Sequence, residues 1–200
     1  MGTGARPALD VLRAITAQDP DILIHLGDIY YSGTQEECRK SFMEPIEQVF
    51  RQGATRPVYT LPGNHDIYCG GVGFYDLISK LNPAPFTQPA SFFCLRAENE
   101  KWQFLAMDTG QHDRSPYSVA VAAADATTRI EDDELEWLCD RMREFTGKTI
   151  LLSHHQLFSA YSGIGPEGKY GSRDAVNPNL LKAFRELTSA GDVSAWFWGA

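Results

Sequence analysis

The stretch LPGNHD, residues 61–66, follows an apolar run and decides how the rest of the chain is read. Proline and glycine make a turn, and an amide, an imidazole and a carboxylate then follow without a break. Asn, Asp and Gly favour surface turns because they tolerate unusual backbone angles and bond to their own backbone. Taken alone, the stretch therefore leaves two readings open, a solvated turn or a ligand-binding one. Working outward, Arg56–Leu61 reads as a strand. Asp21–Leu26 (DILIHL) is a short apolar run without alternation, as expected of a buried parallel strand. Between them, TQEE from Thr34 offers a capping box with Glu37 three residues on, which starts a helix running to about Arg51. Residues 21–61 thus read as a β-α-β unit with the usual right-handed crossover.

The remaining elements follow from periodicity. Residues 5–18 read as a helix, with Leu9, Leu12 and Ile15 at helical spacing, and Gly73–Leu81 as another. Ser91–Leu95 and Trp102–Met107 read as adjacent antiparallel strands joined by the polar turn AENEK. Residues 109–130 carry no clear pattern. Glu131–Phe145 is amphipathic, with Leu135, Leu138, Met142 and Phe145 on one face. Thr149–Leu152 is a further strand, 159–178 a long loop rich in Gly, Tyr and Pro, Asn179–Ala190 a helix and Val193–Trp198 a last strand. The fold class is α/β, and one domain covering residues 1–200 is expected.

Composition narrows the functional classes. Lys+Arg is 18 and Asp+Glu is 26, so the net charge is −8. That balance argues against a nucleic-acid patch or an anionic-membrane binder, and no apolar run approaches the ~20 residues of a membrane span. The N-terminus lacks the apolar core of a signal peptide, and Arg6 stands where a myristoylation motif needs Ser or Thr. Cys38, Cys69, Cys94 and Cys139 form no CxxC pair, so a zinc knuckle is excluded and reduced core cysteines are expected.

The chemistry-bearing residues follow the strands. Parallel strands joined by helices put their carboxyl ends on one edge, where open α/β sheets bind ligands. After DILIHL come Gly27 and Asp28, after PVYTLP come Gly63, Asn64, His65 and Asp66, and after TILLS come His154 and His155. The convergence of three strand ends favours the ligand-binding reading of LPGNHD. His25, inside its apolar strand, is expected to be a hydrogen-bonded core histidine, and His112, in polar sequence, a solvated one.

The set GD…GNHD…HH resembles the calcineurin-like metallophosphoesterase superfamily, from Gly27 to the end of the chain. Asp28-Ile29-Tyr30-Tyr31 also fits GDxxY, the form found in purple acid phosphatases, and Leu151 to His154 fits L-x-x-H. The resemblance implies a four-layer αββα sandwich with two metal ions, Fe, Zn or Mn, divalent or mixed-valence. It implies that Asp28 bridges both ions, that Asn64 and His154 bind the second, and that Tyr31 binds the first as tyrosinate. His65 would protonate the leaving oxygen, with Asp66 orienting it. Such donors suit those metals rather than copper(I). A paired site ~3.5–4 Å apart clamps the attacking and leaving oxygens and supplies a hydroxide near neutral pH.

The implied activity is hydrolysis of a small phosphorylated substrate, a phosphomonoester. Alternatives are a phosphodiesterase or nucleotidase of the same superfamily, or a catalytically impaired metal-binding fragment. His155, Lys169 and Arg173 are candidate phosphate contacts. The chain departs from the family pattern at both ends. The aspartate of a D-x-G ending at Gly2 would precede Met1, and Ala200 stands where the first histidine of GHxH belongs. A fragment, incomplete at the N-terminus and C-terminus, is therefore expected. The compartment is open, since purple acid phosphatases are often exported and any signal would lie upstream.

Overall fold

A computed structural model describes residues 5–29, 31–112, 127–161, 163–164 and 174–199. The chain divides into two compact units, Met1–Ser91 and Phe92–Ala200. No helix among the described residues is long and apolar enough to cross a membrane.

In the first unit, helix α1 (Arg6–Thr16) starts with proline in its first turn, where the missing N–H costs nothing. Strand β1 (Leu23–His25) pairs in parallel with β2 (Val58–Thr60), Leu23 opposite Val58 and His25 opposite Thr60. The connection begins with α2 (Gln35–Cys38), whose capping box is the expected one: Thr34 Oγ1 accepts from Glu37 N, and Glu37 accepts from Thr34 N. The helix reaches Arg51 as expected, but not as regular α-helix throughout. Arg39–Met43 and Ile46–Arg51 are wound as π-helix, and Gln52 N donates to Glu47 O five residues back. Pro45 sits between the two segments and has no N–H to give the α-helical bond to Ser41 O. Phe42, Ile46 and Phe50 nevertheless all reach the core, with Leu12, Ile29, Val58 and Leu77.

Two side-chain amides close the outer edge of β2. Asn82 accepts from Val58 N at 2.9 Å and donates to Val58 O at 2.7 Å. Gln88 accepts from Thr60 N at 3.1 Å and donates to Thr60 O at 2.8 Å. Both amides are buried and together act as a third strand, so no edge carbonyl or N–H of β2 is orphaned there. Helices α3 (Asn64–Ile67) and α4 (Val72–Leu81) complete the unit.

The second unit holds a four-stranded sheet in the order β3-β4-β5-β6. Strands β3 (Phe93–Arg96) and β4 (Trp102–Ala106) are antiparallel, as expected, and β5 (Lys148–Ser153) and β6 (Val193–Trp198) continue in parallel. Helix α5 (Asp132–Arg143) carries Asp132, Asp133 and Glu134 in its first turn and Arg141 and Arg143 in its last, matching the helix dipole. Leu135, Leu138 and Met142 are buried together with Leu105, Leu151, Leu180 and Leu187. Phe145 does not share that face; it lies beyond the helix end, 5.2 Å beneath the Arg96 guanidinium. Helix α6 (Pro178–Ala190) starts one residue earlier than its periodicity suggested, because Asn177 Oδ1 caps the amides of Asn179 and Leu180.

Three smaller expectations are settled here. His25 is a partly buried core histidine, its Nδ1 3.1 Å from Thr60 Oγ1 and its ring edge-on to Phe42. His112 is not solvated: its side chain is 24% exposed and meets the Glu131 carboxylate. All four cysteines are free thiols, but only Cys38 and Cys139 are buried, and Cys69 is exposed.

Buried Glu134 accepts from Asp108 N at 2.8 Å. Burial first, and then the charge of Asp108, push its carboxyl up to about 9 from 4.5. In that window the folded chain holds one proton more than the unfolded chain, so this group's contribution is complete below about 4.5 and is lost as pH rises toward about 9. Glu134→Gln is expected to flatten the fall in stability, by up to about 1.4 kcal/mol per pH unit. Urea denaturation at several pH values checks this, and parallel profiles for both chains would exclude it.

Candidate functional site

The site of the first unit is built around one carboxylate. Gly27 and Asp28 both have left-handed backbone, with φ of 100° and 59°. Such consecutive turns aim successive amide N–H groups at one point, a natural anion cradle. Here the anion is a side chain of the protein itself. Asp66, fully buried, accepts from Asp28 N at 2.8 Å and Ile29 N at 3.0 Å. It also accepts from Gly63 N at 2.8 Å, capping α3 from its third residue. Burial pushes its carboxyl up to about 6; the N–H donors of Gly63, Ile29 and Asp28 pull the other way, and it stays ionised at neutral pH.

Asp66 therefore does not orient His65, as the sequence reading expected. Its carboxylate accepts from three backbone donors and makes no hydrogen bond to the His65 ring. The His65 ring is held instead by the chain carbonyl of Tyr31, 2.6 Å from Nδ1. A carbonyl only accepts, so Nδ1 carries a proton and Nε2 is the nitrogen left for exchange chemistry. Tyr31 and Tyr68 set their rings against the imidazole with centroids 5.6 Å and 4.6 Å away. Tyr31 is 62% exposed.

Asp28 turns its carboxylate back over the same turn, where Oδ1 accepts from His65 N at 3.2 Å. Gly63 makes that possible: a Cβ there would lie 2.1 Å from Asp28 Oδ1. Gly33 is needed in the same way, since its φ is +66° and a Cβ would fall 2.3 Å from Asp66 O. Asn64 is half-buried, and its Nδ2 donates to the Tyr68 hydroxyl. The first unit thus brings together Asp28, Tyr31, Asn64, His65 and Asp66. Its donors, a carboxylate over a glycine cradle and a neighbouring amide, fit an oxygen-seeking cation in part. Among the described residues no group of three His, Cys, Asp or Glu side chains is gathered for a metal.

In the second unit, His154 and His155 follow β5 directly. They do not extend the edge of β1 and β2, as the sequence reading had it, because β5 belongs to the other sheet. His154 is 4% exposed, and its ring is edge-on to His155 at 4.8 Å. Thr109 Oγ1 accepts from His155 N at 3.0 Å and lies 3.1 Å from its Nδ1. Ser153 Oγ donates to His155 O at 2.8 Å while accepting the Trp196 indole N–H at 2.8 Å. Lys169 and Arg173 lie outside the described residues.

Sequence reasoning missed Thr109, Ser153 and Tyr68. Thr109 left no signal, since its partner His155 is 46 residues away, and the link from Ser153 to Trp196 spans 43. Tyr68 did leave one, being four residues after Asn64 and so on the same helical face.

The family profile described as calcineurin-like phosphoesterase matches residues 3–199. Human tartrate-resistant acid phosphatase type 5 is 34% identical over 211 residues, covering 96% of this chain and 58% of the relative. The chain thus spans 58% of the length of that relative. A crystal structure of a dimetal phosphatase from Danio rerio superposes with a TM-score of 0.59 at 14% identity, covering 96% of this chain and 71% of that one. A structure of PhoD gives 0.59 at 12% identity, with coverages of 94% and 47%. The two structures share the metallophosphoesterase fold with this chain, an α/β architecture of sheets and helices.

Asp66→Ala leaves three backbone donors unsatisfied around a cavity. It is expected to destabilise the chain by about 3 kcal/mol or more at neutral pH. Chemical denaturation measures this, and a loss under about 1 kcal/mol would show that the tie is not structural.

Proposed function

The chain belongs to the calcineurin-like phosphoesterase family, and from that premise we propose that it carries a two-metal phosphoesterase site acting on phosphomonoesters. The observation that supports this most is the single turn at residues 63–66. It sets the Asp28 carboxylate, the Asn64 amide and an imidazole anchored through Nδ1 beside one another. The names of a human acid phosphatase and of a dimetal phosphatase among the similar proteins point the same way.

Asp28, Tyr31 and Asn64 are the proposed ligands in the first unit, and His154 is a proposed ligand on sequence grounds alone. This oxygen-rich set with imidazole suits Fe, Zn or Mn. When bound, the ions supply a clamp on the attacking and leaving oxygens and neutralise phosphoryl charge. The protein's own part is positioning and proton transfer. With Nδ1 committed to the Tyr31 carbonyl, a protonated His65 holds its transferable proton on Nε2 and delivers it to the leaving oxygen. Tyr31 and Tyr68 limit the ring's rotation, so the proton keeps one direction. Asp66 acts one step back, by holding the Asp28 turn and the start of α3 together. His155 is a proposed phosphate contact, its ring set by Thr109. Lys169 and Arg173 are proposed contacts on sequence grounds alone.

The chain loaded with iron, zinc or manganese is expected to hydrolyse an aryl phosphomonoester in preference to the matching diester. His65→Ala is expected to lower turnover by roughly 10²–10⁴-fold with the metal content unchanged. Atomic emission on the purified variant, run beside the assay, checks both halves. Loss of metal in that variant would remove His65 as the acid, and a preference for the diester would favour a phosphodiesterase.

A further inference from the structure

We propose that Tyr68 is a positioning residue whose hydroxyl fixes the side-chain amide of Asn64, so that the amide oxygen and not its nitrogen is presented to a cation. The inference rests on the reading of Asn64 as a metal ligand and adds what makes that ligand work.

A carboxamide has two ends of nearly equal shape and opposite chemistry. The oxygen can bind a hard cation; the NH₂ group has only protons to offer. The torsion that exchanges the two ends is broad and roughly two-fold, so an unrestrained Asn64 would offer the wrong end much of the time. The structure supplies a restraint. Asn64 opens α3, Tyr68 stands at its C-cap four residues on, and Nδ2 donates to the Tyr68 phenol oxygen. In this arrangement the phenol oxygen accepts and its own proton points away from the amide, and Oδ1 is left at the other end of the planar carboxamide.

The tyrosine is itself fixed. Tyr68 N donates to His65 O, and its ring lies 4.6 Å from the His65 ring at 53°. His65 in turn is held on its far side by the Tyr31 carbonyl. Tyr68 therefore packs against the proposed acid with its ring and orients the proposed ligand with its hydroxyl. Phenylalanine at this position keeps the first contact and loses only the second, which lets the two be separated.

Hydrogen-bond partners of metal ligands are typically worth 10–100-fold in metal affinity. The test is equilibrium dialysis of the 200-residue chain against graded zinc, with bound zinc counted by atomic emission. Y68F is expected to weaken zinc binding about 10–100-fold while the unfolding midpoint of the zinc-free chain stays in place. N64A should weaken binding at least as much, and the N64A/Y68F double variant should bind no more weakly than N64A, because Tyr68 acts through Asn64. Wild-type affinity in Y68F beside a loss in N64A would overturn the role of Tyr68 and leave Asn64 a ligand. Wild-type affinity in N64A would instead overturn the ligand reading. A double variant weaker than N64A would show Tyr68 acting elsewhere. Independently of any metal, the side-chain NH₂ resonances of Asn64 in the zinc-free chain should move in Y68F; resonances left in place would also overturn the proposal.

Discussion

The carboxylate of Asp66 is the tie on which the first unit's site depends. Three backbone N–H groups from two separate loops converge on it. Left-handed backbone at a non-glycine residue costs on the order of 1–3 kcal/mol and persists only where its surroundings over-determine it. At Asp28 those surroundings are the charge-assisted bonds to Asp66, which offset the strain and fix where the Asp28 carboxylate points. Gly33 and Gly63 then allow backbone and carboxylate to approach more closely than any side chain would permit. Position, strain and glycine content are thus consequences of one buried charge.

The second unit reaches a comparable result with neutral groups. Ser153 both donates and accepts, which links the Trp196 indole to the His155 carbonyl, and Thr109 meets both the amide and the ring of His155. The loop that carries Thr109 is itself steadied by Asp108, whose carboxylate accepts from Gly110 N and Gln111 Nε2 and whose own N–H goes to Glu134. Adjacent histidines after a strand are in this way given fixed backbone and ring positions by residues from β6 and from the loop after β4. The membership of the calcineurin-like family is consistent with this construction, in which helices and sheets serve mainly to present loop residues.

How much was legible varied with the range of the interaction. The strand-turn sequences DILIHLGD and PVYTLPGNHD announced β1, β2 and their parallel pairing, because an unbroken apolar run flanked by turn residues has few other uses. The capping box at Thr34 was legible because its two members are three residues apart. The π-helical winding around Pro45 was not, since proline forbids one hydrogen bond without saying how the helix will close the gap. Asn82 and Gln88 lie outside every sequence pattern, yet they complete the edge of β2. Phe145 matched a helical face by spacing, but α5 ends before it and the residue pairs with Arg96 instead.

The sequence by itself determined the inventory: which turns carry an aspartate, an asparagine and histidines, and that these follow apolar strands. That follows from local chemistry, because strand propensity, turn residues and motif spacing are written within a few positions of one another. Only the tertiary structure decided the role of each side chain. Asp66 and Asp28 are the same residue type and both follow a strand, yet one is a buried structural anion and the other a partly buried carboxylate that accepts from His65 N. The difference lies in which carboxylate meets converging amides from a loop thirty-eight residues away. Burial and long-range hydrogen bonding are properties of the packed chain, and no local pattern in the sequence encodes them.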